Sequence, residues 1–252
     1  MRTLLSVTLA ALLSASAVFA QDGKTIRIAT EGAYPPFNFM AADGTLQGLD
    51  VDIAKALCAE MKANCAIVAQ DWDGMIPALT AGKFDAIIAS MSITEERKQK
   101  IDFTNRYYKT PLAIAVLKEG GPTGTAVAEL EGKTIGAQAA TIQANTAEDI
   151  YGKAGVEVKL YPTQEEAAAD LENGRIDALM SDKFVITDWL NTTGKDCCKL
   201  LGDVAGTDTD VGIGLRKGDN VLKERFNTAI EAIVKNGTYK TIVAKYFPFD
   251  IY

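Results

Sequence analysis

Strand-like and helix-like hydrophobic periods alternate along almost the whole chain, and this alternation restricts the fold more than any other sequence feature. The short apolar or alternating runs that predict strands lie at 25–29, 66–69, 85–89, 112–117, 134–137, 156–161, 177–180 and 211–215. The stretches with a helical period lie at about 49–61, 72–81, 142–153, 163–172, 183–191, 222–233 and 242–246. Asp50 stands at the start of the first of them and is predicted to cap that helix. Strands that alternate with helices predict an α/β fold in which helices cover parallel sheets.

One junction occurs twice in similar form, which favours a duplicated lobe over coincidence. Residues 79–86 have the sequence LTAGKFDA and residues 171–178 have LENGRIDA, 92 positions later. Each copy predicts a helix that ends at a glycine, then a basic residue and a strand that begins with Asp-Ala. Ser90 and Asp182 each follow five residues after the aspartate of their copy. Because open α/β sheets bind ligands beyond the carboxyl ends of their strands, these side chains are predicted to face each other across one cleft.

Composition excludes several classes of chemistry. The chain has 252 residues, 48% of them hydrophobic, which is enough for one or two globular domains with a substantial core. It contains no histidine, and this removes the commonest general base and most zinc and copper sites, so we expect no metal and no cofactor. Its net charge of −7, without a basic run, makes a nucleic-acid partner unexpected.

The N-terminus has the pattern of a secretory signal peptide. Arg2 precedes an apolar stretch at 4–19, and the small residues of Ala17-Val-Phe-Ala20 predict cleavage after residue 20. The alternative is a membrane anchor, but the stretch is shorter than the roughly 20 residues that a spanning helix needs. No cysteine follows until Cys58, so there is no attachment point for a lipid anchor. We therefore expect residues 1–20 to be removed and the protein to be exported to the periplasm.

Export changes what the four cysteines predict. Cys58 and Cys65 lie seven residues apart across a predicted helix end, and in an oxidising compartment they are expected to form a disulfide. Cys197 and Cys198 are adjacent. They could form a bridge between neighbours or remain two free thiols, and the sequence does not decide between these alternatives.

The segment after the first copy of the junction predicts an anion site. Within Ser90-Met91-Ser92, the last serine stands three residues before Glu95, which is the spacing of a capping box at a helix N-terminus. The free N–H groups of such a terminus attract anions, and Arg97 can add a bidentate grip on a carboxylate. The alternative is a surface arginine on a charged helix.

Complementary groups follow other predicted strands. Thr141 is positioned to cap a helix whose N–H groups would face the cleft, and Asp182 supplies a negative charge near the same opening. An arginine for one charge and an aspartate for the other would suit a zwitterion such as a free amino acid. Glu31, Tyr34 and Trp72 lie at strand ends, where aromatic faces and a carboxylate can hold a cationic or amide side chain. Ordinary core or rim aromatics are the alternative.

Together these segments resemble the periplasmic solute-binding proteins of polar and basic amino-acid ABC importers, especially the lysine/arginine/ornithine, histidine and opine binders. The resemblance spans 26–252 and rests on IATEGAYPPF at 28–37, GLDVDI at 48–53, SMSITEER at 90–97, DFT at 102–104 and GTY at 237–239. It implies a periplasmic binding protein-like fold with two α/β lobes, a ligand cleft and two hinge crossings. Lobe 1 would comprise 21–110 and 206–252, and lobe 2 would comprise 111–205.

The resemblance also implies a ligand set and a function. The residues implied to contact the ligand are Glu31, Tyr34, Trp72, Ser90, Met91, Ser92, Arg97, Thr141 and Asp182. Arg97 would hold the α-carboxylate with the backbone N–H groups of Ser92 and Thr141, and Asp182 would hold the α-amino group with help from Ser90. Trp72 and Tyr34 would pack on the ligand side chain, and Glu31 would pair with its distal polar group. We expect a monomer that is not an enzyme and that delivers its amino acid to an inner-membrane permease. The alternatives are a glutamine-type binder, a cyclohexadienyl or arogenate dehydratase on the same scaffold, and a receptor-docking sensor.

Overall fold

A computed structural model describes residues 25–252, so the predicted signal peptide lies outside the described residues. The strands are β1 Ile26–Thr30, β2 Ala33–Tyr34, β3 Asn38–Met40, β4 Leu46–Gln47, β5 Cys65–Ala69, β6 Ala86–Ile87, β7 Ile101–Thr110, β8 Leu112–Leu117, β9 Thr134–Gln138, β10 Glu157–Tyr161, β11 Ala178–Asp182, β12 Cys198–Asp203 and β13 Thr209–Arg216. The α-helices are α1 Leu49–Glu60, α2 Met75–Thr80, α3 Glu95–Lys100, α4 Ile142–Thr146, α5 Gln164–Glu172, α6 Lys183–Asn191, α7 Asn220–Lys235 and α8 Thr238–Val243. None of these helices is long and apolar enough to cross a membrane.

Two five-stranded sheets form the centres of two α/β lobes, as the sequence predicts. The first has the order β5-β1-β6-β13-β7 and the second β10-β9-β11-β8-β12. The prediction of purely parallel sheets is wrong, because β13 runs antiparallel to β6 and β7, and β8 runs antiparallel to β11 and β12. Two of these antiparallel strands, β7 and β12, lie at sheet edges. Their many polar residues conceal them from a search for apolar runs.

The chain crosses between the sheets twice. Pro111 alone separates β7 of the first sheet from β8 of the second, and residues 204–208 carry the chain back from β12 to β13. The crossings are hydrogen-bonded to each other: Leu112 N donates to Thr207 Oγ1 at 3.1 Å, and Val204 N donates to Leu112 O at 2.9 Å. Paired crossings of this kind can act as a hinge between the lobes. The exact lobe boundaries stay a prediction.

In the first lobe, the apolar residues that recur with a helical period are the ones that pack together in the core. Leu49, Ile53 and Leu57 of α1 are buried together with Phe226 and Ile230 of α7 in one apolar cluster. Each such side chain removed from water contributes about 1.5–3 kcal/mol to folding. The second lobe has apolar clusters of its own on the two faces of its sheet.

The repeated junction has the same local structure in both copies. Gly82 and Gly174 adopt left-handed backbone with φ of 74° and 66°, which explains why glycine ends both helices. The aspartate that follows fastens a neighbouring strand: Asp85 accepts from Arg27 N at 3.0 Å, and Asp177 accepts from Thr134 N at 2.9 Å. These aspartates therefore hold the strands whose far ends reach the cleft.

Two predicted helix caps are wrong. Asp50 does not cap α1, whose N-cap is Gly48, because the Asp50 side chain is drawn into a buried hydrogen-bond network. Ser92 does not cap α3, because the chain there stays extended and bridges to Val211. Thr94 is the actual cap, and its hydroxyl accepts from the backbone N–H of Arg97.

Two predicted helices are less regular than a single α-helix. The stretch predicted at 72–81 is a 3₁₀ turn, Trp72–Gly74, followed by α2. The stretch predicted at 142–153 is α4 followed by a π turn, Ala147–Tyr151, and a 3₁₀ turn, Gly152–Ala154. A hydrophobic period near 3.6 does not distinguish these tighter and looser turns from an α-helix.

The predicted disulfide between Cys58 and Cys65 is present and joins α1 to β5. Cys197 and Cys198 are also joined to each other, so of the two alternatives the structure has the bridge between neighbours.

Candidate functional site

A cavity between the lobes lies at the carboxyl ends of strands from both sheets. Its lining consists of polar and charged side chains with one tryptophan and one alanine: Glu31, Tyr34, Trp72, Ala89, Ser90, Ser92, Arg97, Gln138, Thr141, Gln143 and Asp182. Three charged groups among these residues, Glu31, Arg97 and Asp182, determine what the cavity can bind.

Arg97 provides the positive charge. It follows the Thr94 cap of α3 and is only 9% exposed, so it is not a surface arginine. Its guanidinium donates to Ser92 O at 3.0 Å and to Ala140 O at 3.2 Å and lies 5.2 Å from the centre of the Trp72 ring. Burial lowers the pKa of Arg97 to about 10, which still leaves it charged at neutral pH. With five N–H donors, a guanidinium held by two carbonyls retains donors for a carboxylate.

Asp182 provides a negative charge at the end of β11 and is 1% exposed. Its Oδ2 accepts a hydrogen bond from the Tyr34 hydroxyl at 2.8 Å. Its Oδ1 is buried and has no hydrogen-bond partner among residues 25–252. Burial raises the pKa of Asp182 to about 7. A buried carboxylate oxygen without a donor is costly, and a ligand N–H group would remove that cost.

Tyr34 joins the two lobes through its hydroxyl rather than through its ring alone. The hydroxyl donates to Asp182, lies 3.1 Å from Ser181 Oγ, and accepts from Gln143 Nε2 at 3.2 Å. The sequence predicted an aromatic surface for the ligand here. The structure adds a polar contact between the lobes, made by the hydroxyl group, which the sequence reasoning about an aromatic ring did not predict.

Glu31 provides a second negative charge in another part of the cavity. Its Oε1 accepts from Gln138 Nε2 at 2.6 Å, and Gln138 Nε2 also donates to Pro162 O at 3.2 Å. Burial raises the pKa of Glu31 to about 7. Nearby, Trp72 Nε1 donates to Ala140 O at 3.1 Å, which is a further contact between the lobes.

The serines and the methionine of the 90–92 segment separate according to strand geometry. Ser90 and Ser92 line the cavity, whereas the Met91 side chain is buried in an apolar cluster of the first lobe. Ser90 lies in a bend with a left-handed backbone φ of 54°, and the chain is extended again at Ser92, where it bridges to Val211. Met91 was placed in the ligand set by the resemblance, and its side chain does not line the cavity.

Thr141 caps α4 as predicted. Its Oγ1 accepts from Ala144 N at 3.1 Å and donates to Gln138 O at 2.6 Å. The sequence reasoning missed Gln138 and Gln143, which line the cavity and bond to Glu31 and Tyr34. Their signal was available, because Gln138 directly follows the strand predicted at 134–137 and Gln143 falls in the first turn of the helix that Thr141 caps.

The arrangement is suited to recognition of a small molecule with opposed charges. A guanidinium, an unpartnered carboxylate oxygen and a second, partly buried carboxyl group line one cavity, so a ligand with a carboxylate and one or two cations would meet complementary groups. Across residues 25–252, no cluster of three or more potential metal ligands is present.

Comparison with known proteins identifies the family of this chain. Residues 26–249 match the bacterial extracellular solute-binding proteins, family 3. The L-arginine-binding protein of Pseudomonas aeruginosa is 46% identical over 93% of this chain and 92% of its own, and the histidine-binding periplasmic protein of Salmonella typhimurium is 38% identical over 96% and 95%. An ancestral arginine-binding protein, solved bound to arginine, superposes with a TM-score of 0.84 at 36% identity over 88% of this chain and 98% of its own. The chain therefore belongs to family 3 of the bacterial extracellular solute-binding proteins.

Proposed function

We propose that this chain captures a cationic L-amino acid, with L-arginine as the leading ligand, and delivers it to an ABC permease of the inner membrane. The observation that carries the proposal is the buried, unpartnered Oδ1 of Asp182 in the same cavity as the Arg97 guanidinium. The relatives that bind arginine and histidine support an amino acid as the ligand. The periplasmic relative supports a periplasmic location.

The α-carboxylate is assigned to Arg97. Two of the guanidinium donors are held by Ser92 O and Ala140 O, which orients the remaining donors without using them. The backbone N–H of Ser92 and the amino end of α4 next to Thr141 would add donors from the two lobes. A carboxylate that needs donors from both lobes favours the closed form, because the full set of contacts exists only there.

The α-amino group is assigned to Asp182 and Ser90. An ammonium group offers three hydrogen-bond donors, and Asp182 Oδ1 is an acceptor that has no donor within the described residues. A buried carboxylate without a cation is unfavourable, as the raised pKa of Asp182 indicates. A bound ammonium would lower that pKa and stabilise the ionised form.

The distal cation of the ligand side chain is assigned to Glu31, with Trp72 as its aromatic wall. Glu31 shares the cavity with Arg97 and Asp182, so it supplies the third charge that a zwitterion with a cationic side chain needs. A charge-assisted bond from a guanidinium or ammonium to this carboxylate would favour arginine, lysine, ornithine or histidinium over neutral amino acids.

A calorimetric screen tests the proposal. L-Arginine, L-lysine, L-ornithine, L-histidine, L-glutamine and octopine would be titrated into the wild type and into Arg97→Ala. We expect the tightest binding for a cationic amino acid and a loss of about 2–5 kcal/mol in Arg97→Ala, because the ligand carboxylate is left unpaired. Arg175→Ala is the matched control, because that arginine is 67% exposed, pairs with Asp170 and does not line the cavity. Unchanged affinity in Arg97→Ala would contradict the assignment.

An enzymatic function on the same scaffold needs a proton donor, and two carboxyl groups of the cavity have a suitable pKa. Burial raises the pKa of Glu31 and of Asp182 to about 7, so either could act as a general acid near neutral pH. The comparison proteins named above are binding proteins, which favours capture over catalysis. Incubation with prephenate and arogenate checks this alternative, and we expect no product.

A further inference from the structure

Asp50 lies beneath the cavity and does not line it, yet it is linked directly to a residue that does. It is 0% exposed and stands in the first turn of α1. Its Oδ2 accepts from Asn38 Nδ2 at 2.8 Å and from Ser90 Oγ at 2.9 Å, and its Oδ1 accepts from the Tyr107 hydroxyl at 2.6 Å. The proposed function gives this carboxylate no role, and the helix-capping role that the sequence predicts for it is wrong.

The directions of these hydrogen bonds are fixed. An ionised carboxylate only accepts, so each partner must use a hydrogen to reach it. The Asn38 amide cannot be turned around, because Gly32 N donates to its Oδ1 at 2.8 Å and leaves its Nδ2 facing Asp50. Burial raises the pKa of Asp50 to about 6, but this is still below 7, so the group is mostly ionised at neutral pH. The single hydroxyl hydrogen of Ser90 is therefore committed to Asp50.

A hydroxyl whose hydrogen is committed can offer only lone pairs to a ligand. Ser90 is held in place, with a left-handed backbone φ of 54°, at the edge of the cavity. The Tyr34 hydroxyl is committed in the same way when it donates to Asp182. The Tyr34 oxygen already accepts from Gln143 and lies 3.1 Å from Ser181 Oγ, so its lone pairs are used within the protein. The acceptors left for a ligand amino group are therefore Asp182 Oδ1 and the lone pairs of Ser90.

We propose that Asp50 is a positioning residue that fixes Ser90 as a hydrogen-bond acceptor and so makes this end of the cavity specific for a ligand ammonium group. The inference rests on the proposed function, in which that group is the α-amino group of an amino acid. Without Asp50, the Ser90 hydroxyl could rotate its hydrogen into the cavity, where an ammonium has no lone pair to accept it.

The test compares two ligands that differ only in this group. L-Arginine and 5-guanidinopentanoate, which lacks the α-amino group, would be titrated into the wild type, Asp50→Ala, Asp50→Asn, Ser90→Ala and the Asp50→Ala/Ser90→Ala double variant. We expect Asp50→Ala to weaken L-arginine about tenfold or more and to leave 5-guanidinopentanoate within about threefold. In the Ser90→Ala background, the same substitution should have almost no further effect on L-arginine.

Asp50→Asn separates orientation from charge. Its Oδ1 can replace the carboxylate oxygen that accepts from Asn38 and Ser90, while its Nδ2 donates to the Tyr107 oxygen, so Ser90 stays an acceptor. We expect this variant to keep the preference for L-arginine over 5-guanidinopentanoate within about threefold of the wild type. Tyr107→Phe is the control, because it removes a donor from Asp50 without touching Ser90, and it should also keep the preference.

Several results would overturn the inference. One is that Asp50→Ala weakens the binding of both ligands equally. A second is that Asp50→Ala lowers the affinity for L-arginine as much in the Ser90→Ala background as in the wild type. A third is that Asp50→Asn binds L-arginine as weakly as Asp50→Ala does. If Asp50→Ala does not fold, the inference is tested by Ser90→Ala and Asp50→Asn. Ser90→Ala must then lose the preference for L-arginine over 5-guanidinopentanoate, and Asp50→Asn must keep it. A wild type that binds none of the screened amino acids would instead overturn the proposed function and, with it, the ammonium that this inference requires.

Discussion

Two carboxylates are buried equally deeply in this protein, and they differ in how completely they are satisfied. Asp50 is 0% exposed and receives three donors from Asn38, Ser90 and Tyr107. Asp182 is 1% exposed and receives one, from Tyr34, with Oδ1 left bare among the described residues. The first arrangement is complete within the protein and serves to position other groups. The second is complete only when a ligand supplies a donor.

The largest expected effect is a contrast in stability between the two carboxylates. Asp50→Ala leaves three buried donors without an acceptor, and we expect it to lower the free energy of unfolding by about 3–5 kcal/mol. Asp182→Ala leaves the Tyr34 hydroxyl beside Ser181 and Gln143, so we expect a change within about 1 kcal/mol. Urea denaturation of both variants without ligand measures the difference. Equal losses of unfolding free energy in the two variants would show that the unpartnered Oδ1 of Asp182 does not make the two carboxylates energetically different.

The next effect concerns the third charge of the cavity. Glu31→Gln keeps an acceptor for Gln138 and removes the negative charge, so we expect affinity for L-arginine to fall by about 1.5–3 kcal/mol while L-glutamine is affected much less. Competition calorimetry with the two amino acids gives both values. Asp71→Asn, which removes a nearby acid that does not line the cavity, is the control. If L-arginine binds Glu31→Gln as tightly as the wild type, the distal assignment is wrong.

The smallest effect is a pH dependence of stability. Burial raises the pKa values of Glu31 and Asp182 to about 7 and that of Asp50 to about 6, from ordinary values near 4. The folded chain therefore holds protons that the unfolded chain has lost between about pH 4 and pH 7, so stability falls as pH rises through this window. We expect the Tm of the ligand-free protein to fall by roughly 5 °C or more between pH 5 and pH 8.

Two controls identify the source of that pH dependence. The Glu31→Gln/Asp182→Asn double variant should show a flatter profile, because two of the three raised groups are gone. Saturating L-arginine should stabilise the wild type more at pH 8 than at pH 5, since bound cations favour the ionised carboxyl groups. A Tm that rises from pH 5 to pH 8 without ligand would contradict the sign of these shifts.

The comparison of the two carboxylates also shows how far sequence reasoning reaches. The strand-end position of Asp182, found by counting from a repeated junction, brought it to the cavity as predicted. Arg97 and Thr141 were found by similar local rules. Asp50 was predicted to cap its helix, which is the usual local role of an aspartate near a helix start. Its actual partners lie 12, 40 and 57 residues away, and no local pattern encodes such contacts.

For the fold as well, local sequence patterns predicted some features and missed those that depend on distant contacts. Apolar periods located most of the buried strands and the faces of α1 and α7. They missed the edge strands β7 and β12, whose polar residues are compatible with exposure on one side. They also could not indicate that Met91 faces the core while its neighbours Ser90 and Ser92 face the cavity, because that depends on the local backbone, which has a left-handed φ at Ser90.

The central claim is that the bare oxygen of Asp182 takes the ligand α-ammonium group. A crystal structure with bound L-arginine tests it most directly. We expect the ammonium nitrogen about 3 Å from Asp182 Oδ1 and within hydrogen-bond distance of Ser90 Oγ, with the α-carboxylate on Arg97 and the ligand guanidinium at Glu31. A ligand bound in the reverse direction, or an Asp182 Oδ1 that still lacks a donor, would contradict the account.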